Sequence, residues 1–312
     1  MKERLGEQRL IYIAGAGRNG STLLGNCLAM VPAIVFPGEL THVWKRGLID
    51  NELCGCGEKF LECGFWNRVF QDDTDHLWDD KSAVYKLRNS ASRFSRIGSF
   101  YAGRKPKEST DIAYVEHYRR LIQQLGSLGL GSVIVDSSKY PTDLAVLLEC
   151  KHLLPPIHIL HLVRDCRAVV YAWKKRKVRS EIHWQEQYMP RYGTLQTVVA
   201  WRLFNQLTSM LAGRYGVPYS LVRYEDLARE PVQVLSSIVN DIDLPNVTIA
   251  SRFGSQQDTA FRSHPIGGNP SKFQFDFSSI RLEEEWVSRI RSLDRFWVDR
   301  IAGGLQRAYG YT

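Results

Sequence analysis

The sequence predicts an α/β fold of three layers, with helices on both faces of a central parallel sheet. Four short apolar runs, at residues 10–14, 132–135, 157–163 and 219–222, have the near-continuous hydrophobicity of strands buried on both faces. Each run is followed by a polar or charged cluster and then by a helical pattern. That alternation builds parallel sheets whose ligands gather beyond the carboxyl ends of the strands. A glycine-rich loop, Gly15-Ala16-Gly17-Arg18-Asn19-Gly20-Ser21-Thr22, joins the first run to an apolar helical stretch. A strand, a tight loop and a helix start together form an anion cradle. Backbone N–H groups converge there, and the helix dipole adds partial positive charge. The fold expected is therefore P-loop-like.

Helical patterns occupy residues 22–31, 142–152 (with Thr142 as N-cap after Pro141), 168–177, 194–214, 232–241 and 282–309. The stretch 71–124 differs in character. It has scattered aromatic and basic residues, a Gly103-Arg104-Lys105-Pro106-Lys107 turn and no strand pattern, and reads as a mostly helical insertion. No internal repeat or low-complexity tract breaks the chain, and the reading taken is a single domain over 1–312.

The net charge of +8 is compatible with nucleic acid, an anionic membrane face or a small anionic ligand as partner. The basic residues are dispersed except for Lys174-Lys175-Arg176-Lys177 and Arg179, a run without the aromatic interleaving that stacks on single strands. No apolar run approaches bilayer length, and residues 1–9 are polar with no signal-peptide core, so the expected compartment is the cytoplasm. Of six cysteines, Cys27, Cys150 and Cys166 sit in apolar surroundings as small hydrophobes. Cys54, Cys56 and Cys63 are clustered, but structural zinc takes four ligands in paired spacing. Here His42 is the only nearby fourth residue, so no metal is assigned.

Gly15 and Gly20 fit the spacing of G-x-x-x-x-G-K-[ST], but Ser21 stands at the lysine position and the cation is Arg18. A γ-phosphoryl transferase needs that lysine, together with magnesium, to neutralise the β and γ oxygens. The loop thus reads as a phosphate binder and a poor ATPase or kinase loop.

Several motifs in order along most of the chain resemble the sulfotransferases that use 3′-phosphoadenosine 5′-phosphosulfate (PAPS), closest in look to the bacterial carbohydrate-type and tyrosyl-protein-type branch. Arg18-Asn19-Gly20-Ser21-Thr22 is similar to that family's 5′-phosphosulfate loop, with Asn19 in place of the common serine. Leu162-Val163-Arg164-Asp165 running into 166–173 resembles the 3′-phosphate motif. Arg164 matches its phosphate-binding arginine, Ala172 stands where the family places a second, serine ligand, and Cys166 stands where proline is common. Glu39, in Pro37-Gly38-Glu39-Leu40, lies 21 residues after Arg18, where the resemblance implies a catalytic base; His42 is the runner-up. Lys139, in Val135-Asp136-Ser137-Ser138-Lys139, resembles the lysine that reaches the sulfuryl group or the leaving phosphate. Tyr224, in Val222-Arg223-Tyr224-Glu225-Asp226-Leu227, is similar to a residue bordering the adenine, core packing being the other reading. His264-Pro265-Ile266-Gly267-Gly268-Asn269-Pro270-Ser271-Lys272 resembles a flexible loop over PAPS, which implies Gly268, Asn269 and Lys272 as further ligands; an ordinary surface turn is the alternative.

The resemblance implies sulfuryl transfer from PAPS to an acceptor hydroxyl on a carbohydrate, a lipid or another small molecule. Glu39, Arg18 and Lys139 are then catalytic, and Arg18, Asn19, Gly20, Ser21, Thr22, Arg164, Tyr224, Gly268, Asn269 and Lys272 hold the donor. No metal is required, because cationic side chains stand where magnesium would. The 71–124 insertion and the aromatic region around Trp184 and Tyr188 are expected to line the acceptor pocket, with no nucleic acid or membrane span involved. Two other readings stay open: a P-loop-like nucleotide or small-molecule kinase, and a non-catalytic nucleotide or nucleic-acid binding module that uses the 174–179 run.

Overall fold

The computed structural model describes residues 8–71, 80–103, 109–244 and 263–312. Its sheet has five strands: β1 (Arg9–Ala14), β2 (Ile34–Gly38), β3 (Val133–Lys139), β4 (Ile157–Val163) and β5 (Tyr219–Arg223). All pairings are parallel, in the order β2-β3-β1-β4-β5. Strand β2 is the one the apolar pattern does not pick out, because Pro37 and Gly38 close it. A proline is tolerated there since β2 is an edge strand, with β3 its one neighbour among the sheet strands described. Strand β3 also runs further than the apolar pattern, through Asp136, Ser137 and Ser138 to Lys139.

Side chains of β1 alternate between two cores. Leu10, Tyr12 and Ala14 join one buried cluster, while Ile11 and Ile13 join another. A strand covered on both faces has no polar side, which is why these runs read as continuous hydrophobicity.

Chain order gives the helices α1 (Ser21–Ala29), α2 (Gly64–Phe70), α3 (Lys81–Ala91), α4 (Ile97–Tyr101), α5 (Ser109–Ser127), α6 (Pro141–Glu149), α7 (Cys166–Lys174), α8 (Thr194–Tyr215), α9 (Tyr224–Arg229), α10 (Pro231–Asp241), α11 (Glu285–Arg289) and α12 (Ser292–Ala308). Tyr140, not Thr142, is the N-cap of α6, with Pro141 in the first turn where its missing N–H costs nothing. The pattern over 282–309 is two helices, because Ile290 and Arg291 adopt extended backbone between them. None of the helices among the described residues is long and apolar enough to cross a membrane.

Within 71–124 the described residues are largely helical, and all but Gly103 of the 103–107 turn lies outside them. Helix α5 puts Tyr114, Tyr118, Leu121 and Leu125 into the cluster that holds Tyr12. Arg88 of α3 grips Asp143 of α6 with two hydrogen bonds, 3.0 Å to Oδ1 and 2.7 Å to Oδ2, and that carboxylate is fully buried. Removing one partner of such a pair strands the other charge, at a cost of about 3–5 kcal/mol.

Register brings the candidate site to the carboxyl edge of the sheet. Ala14 lies opposite Lys139 and Gly38 opposite Asp136. The residues that follow the strand ends, Gly15, Glu39 and Arg164, therefore emerge side by side with Lys139, around the point where strand order reverses.

Candidate active site

Gly15, Arg18 and Gly20 adopt positive φ of 137°, 66° and 96°. Contact as well as conformation demands the two glycines. A Cβ on Gly15 would lie 2.4 Å from the Leu162 carbonyl oxygen, and one on Gly20 would lie 2.4 Å from the Tyr224 ring. Gly20 caps α1 without side-chain help, so the first amides of that helix face the loop as anion donors. Asn19 turns inward. Its Nδ2 donates to Leu162 O at 2.9 Å and its Oδ1 accepts from the Ser21 amide at 3.2 Å, so this side chain braces the loop against β4.

The Arg18 guanidinium lies 4.7 Å from the centroid of the Trp173 ring, and its Nε is buried without a hydrogen-bond partner. Burial lowers its pKa, against the opposing charge of Glu39, Glu181 and Glu283. Arg164 follows β4 and reaches the same loop, with Nη1 donating to the Arg18 carbonyl at 3.3 Å. Its guanidinium stacks 4.1 Å from the centroid of Tyr224, Nη2 lies 2.8 Å from Glu283 Oε2, and Nε is buried and unpartnered. Asp165 is not its partner; that carboxylate pairs with Arg167 at 2.6 Å and caps α7.

Glu39 is buried at 5% exposure. One carboxylate oxygen is paired with Lys139 Nζ, and the other lies 3.1 Å from His42 Nε2. Lys139 itself holds φ at 73° at the end of β3. Burial raises the Glu39 pKa, but the Lys139 ammonium, the His42 hydrogen bond and the Arg46 charge outweigh it, leaving the carboxyl well below its ordinary range. For His42, burial and the Arg46 charge dominate and push it down to about 3, so the ring is neutral and donates from Nε2 to Glu39. Beneath this pair Asp136 is fully buried. It accepts from the Leu40 amide at 3.1 Å, the Ser138 amide at 2.8 Å and the Tyr118 hydroxyl at 2.7 Å, fixing the turn that presents Glu39.

Arg18, Gly20, Ser21, Thr22, Glu39, Lys139, Arg164 and Tyr224 all line a single cavity of about 1120 Å³. With that geometry in place, comparison with known proteins is decisive about family. Residues 11–248 match the family model described as the sulfotransferase family. The chain belongs to the sulfotransferase family.

The chain is also similar to solved structures. The sulfotransferase domain from the curacin biosynthetic pathway matches with a TM-score of 0.50 at 17% identity, covering 98% of each chain. The sulfotransferase domain of a Synechococcus olefin synthase matches at 0.44 and 19% identity, over 95% of this chain and 94% of that one. A sulfotransferase from Mycobacterium tuberculosis matches at 0.45 and 16% identity, over 80% of this chain and 72% of that one. No protein in a search of curated sequences matches.

The sulfotransferase carries its 264–272 segment against the glycine loop. Ile266 bonds the Glu39 amide at 2.9 Å, and Asn269 N donates to Thr22 Oγ1 at 3.0 Å. A Cβ on Gly268 would stand 3.0 Å from that same oxygen. Lys272 departs from the expected role. It is 3% exposed, and its ammonium lies 3.2 Å from Leu53 O and 3.3 Å from Pro265 O, because backbone carbonyls beneath the segment supply what its charge needs. Tyr224 packs between Gly20 and Arg164.

Away from the loop one stretch of the cavity wall is apolar and aromatic, formed by Phe94, Tyr140, Tyr192, Val199, Leu203 and Phe204, while Arg46, Arg179, Gln196, Asp276 and Arg281 line other parts of it. Among the described residues of the insertion, only Phe94 takes part. Trp184 and Tyr188 do not line the cavity, and Met189, Pro190 and Tyr192 stand there instead.

The basic run divides. Lys174 pairs with Asp294 at 2.7 Å, Lys175 with Glu285, and Arg179 with Glu52 at 2.7 Å, while Arg176 covers the Tyr188 ring. Lys177 alone of the five faces the cavity without an acidic or aromatic partner among the described residues. Burial lowers its pKa, with the charge of Arg18 adding to the effect. Read as one block, the run does not single out this side chain; its place just after α7, the helix that follows Arg164, is the signal for it.

Proposed function

We propose that this sulfotransferase uses PAPS as donor and transfers the sulfuryl group to a hydroxyl on a largely apolar acceptor. The observation that carries the reading is the contact of Arg164 with the backbone of the glycine loop, in one cavity with Glu39 and Lys139. Two cationic groups there, Arg18 and Arg164, each keep a buried, unpartnered Nε. Such unanswered donors suit an anionic ligand that carries more than one phosphate.

When bound, PAPS supplies a sulfuryl group on a phosphate leaving group. The amides of Gly20 and Thr22 and the hydroxyls of Ser21 and Thr22 hold the 5′-phosphate, the Ser21 amide being engaged by Asn19. Arg164, joined by Lys177, holds the 3′-phosphate, for which a forked guanidinium is well shaped. Glu39 accepts the proton of the acceptor hydroxyl at a carboxylate oxygen. Lys139 and Arg18 stabilise negative charge on the departing oxygen. Glu39 is a weak base while Lys139 is bound to it, and drawing that ammonium toward the sulfuryl group restores its basicity. The aromatic wall around Phe94, Tyr192 and Phe204 buries the body of the acceptor, since such a wall rewards apolar surface more than a sugar.

Calorimetric titration with adenosine 3′,5′-bisphosphate and with AMP tests the donor. Tight binding of the bisphosphate and weak binding of AMP is the expected result. Equal affinity for the two, or magnesium-dependent ATP consumption, overturns it in favour of a kinase-like reading.

A further inference from the structure

Cys54, Cys56 and Cys63 converge on a fourth residue from far along the chain, and it is not His42. His264, 201 positions beyond Cys63, puts Nδ1 3.2 Å from Cys63 Sγ and 3.7 Å from Cys54 Sγ. Cys63 Sγ lies 3.6 Å from Cys54 Sγ and 3.7 Å from Cys56 Sγ, and all four donor atoms fall within 4.8 Å of one another. His42 is engaged with Glu39 instead.

We propose that Cys54, Cys56, Cys63 and His264 form a structural zinc site. Around a tetrahedral zinc with Zn–S near 2.3 Å and Zn–N near 2.0 Å, sulfur–sulfur edges are about 3.8 Å and sulfur–nitrogen edges about 3.5 Å. The four separations of 3.2–3.7 Å lie close to these edges. They are far beyond the sulfur–sulfur bond of about 2.05 Å, so the cluster is not a disulfide. Three thiolates and one imidazole in a tetrahedral set select zinc over harder ions.

The surroundings are built for a fixed ligand set. The His264 ring stacks flat on Phe65, centroids 4.9 Å apart at 6°, and its carbonyl accepts from Trp66 Nε1 at 3.1 Å. Gly57, at φ of 92°, turns the cysteine loop back so that its amide bonds Cys54 O at 2.9 Å. All four positions are filled by protein, which marks a structural rather than a catalytic ion, and none of the four residues lines the active-site cavity.

The site has work to do where it lies. His264 lies at the head of the segment whose Ile266 pairs with Gly38 and whose Asn269 bonds Thr22, and residues 264–269 belong to no helix or strand. A zinc ion would pin its start to the 54–63 loop, and so hold the segment against Glu39 and the glycine loop.

Metal analysis of the untagged full chain, purified without chelator or added metal, decides the matter. One zinc per chain is expected. Exchange for cobalt should give the intense visible absorption of a tetrahedral thiolate site. Cys63→Ser and His264→Ala should lose the metal, while Cys27→Ser keeps it. The cobalt spectrum of the unmutated chain stands even if a variant does not fold. Absence of bound metal after incubation with zinc, a cobalt spectrum without thiolate bands, or a Cys–Cys bond in the mass spectrum overturns the proposal. None of these readouts depends on sulfuryl transfer or on the identity of the donor.

Discussion

Glu283 Oε2 lies 2.8 Å from Arg164 Nη2, so an arginine of the glycine-loop cavity is answered by an acid 119 positions further along the chain. The Glu283 side chain is more than half exposed, and although burial raises its pKa, the hydrogen bond and charge of Arg164 carry it below the ordinary value. On the proposed function, a bound 3′-phosphate and this carboxylate would compete for one guanidinium. Glu283→Gln removes the competing charge and is expected to tighten adenosine 3′,5′-bisphosphate binding about fivefold, or about 1 kcal/mol. Calorimetry reads the change, and unchanged or weaker binding would assign Glu283 a supporting role instead.

Glu39→Gln keeps the shape of the site and removes the proposed proton acceptor. Turnover should fall about 10³-fold with bisphosphate affinity retained. Both Glu39 and His42 titrate below the neutral range, the first because Lys139, His42 and Arg46 outweigh burial, the second because burial and Arg46 outweigh Glu39. Glu39 is therefore ionised and His42 neutral from about pH 5 upward, and kcat/KM should show no inflection from either group between about pH 5 and 8. A limb near pH 6.5 that disappears in His42→Asn would transfer the role of base to that histidine.

Lys139→Met tests the coupling of the same pair from the other side. Without the ammonium, burial becomes the dominant influence on Glu39 and its pKa rises. The variant should lose turnover and also acquire an acid limb in kcat/KM above about pH 5. Loss of turnover with the unmutated pH profile would mean that Lys139 acts on the substrate alone and does not set the charge of Glu39.

What could be read in advance followed from locality. The first strand, its loop and α1 are contiguous, so spacing alone exposes the cradle. Glu39 and Lys139 each sit at a strand end, the place where α/β folds gather chemistry. Contacts across long separations were closed to that reasoning. The pKa of Glu39 depends on Lys139, 100 positions away. Lys272 answers two backbone carbonyls that no pattern announces, and the cysteine loop meets its histidine only after 200 intervening residues. Asn19 looked like a phosphate ligand because it replaces a serine. Its side chain is committed to Leu162 and Ser21, which only the packed loop reveals.

Asp136 makes a stability prediction separable from catalysis. Burial raises its pKa to about 6, against hydrogen bonds from Ser138, Tyr118 and the Leu40 amide. The unfolded value is about 3.9. A raised carboxyl contributes stability that is present below about pH 4 and lost as pH climbs through about 6, because the folded state holds its proton longer. Asparagine cannot ionise, and its carbonyl can still accept from the Leu40 amide while the Tyr118 hydroxyl turns to accept from the new amide. Whatever constant offset Asp136→Asn brings, its unfolding free energy relative to the unmutated chain should improve by about 2–3 kcal/mol between pH 4 and pH 7. Urea unfolding at the two pH values measures that difference, and parallel curves would show that the carboxylate is ionised in the fold at no cost.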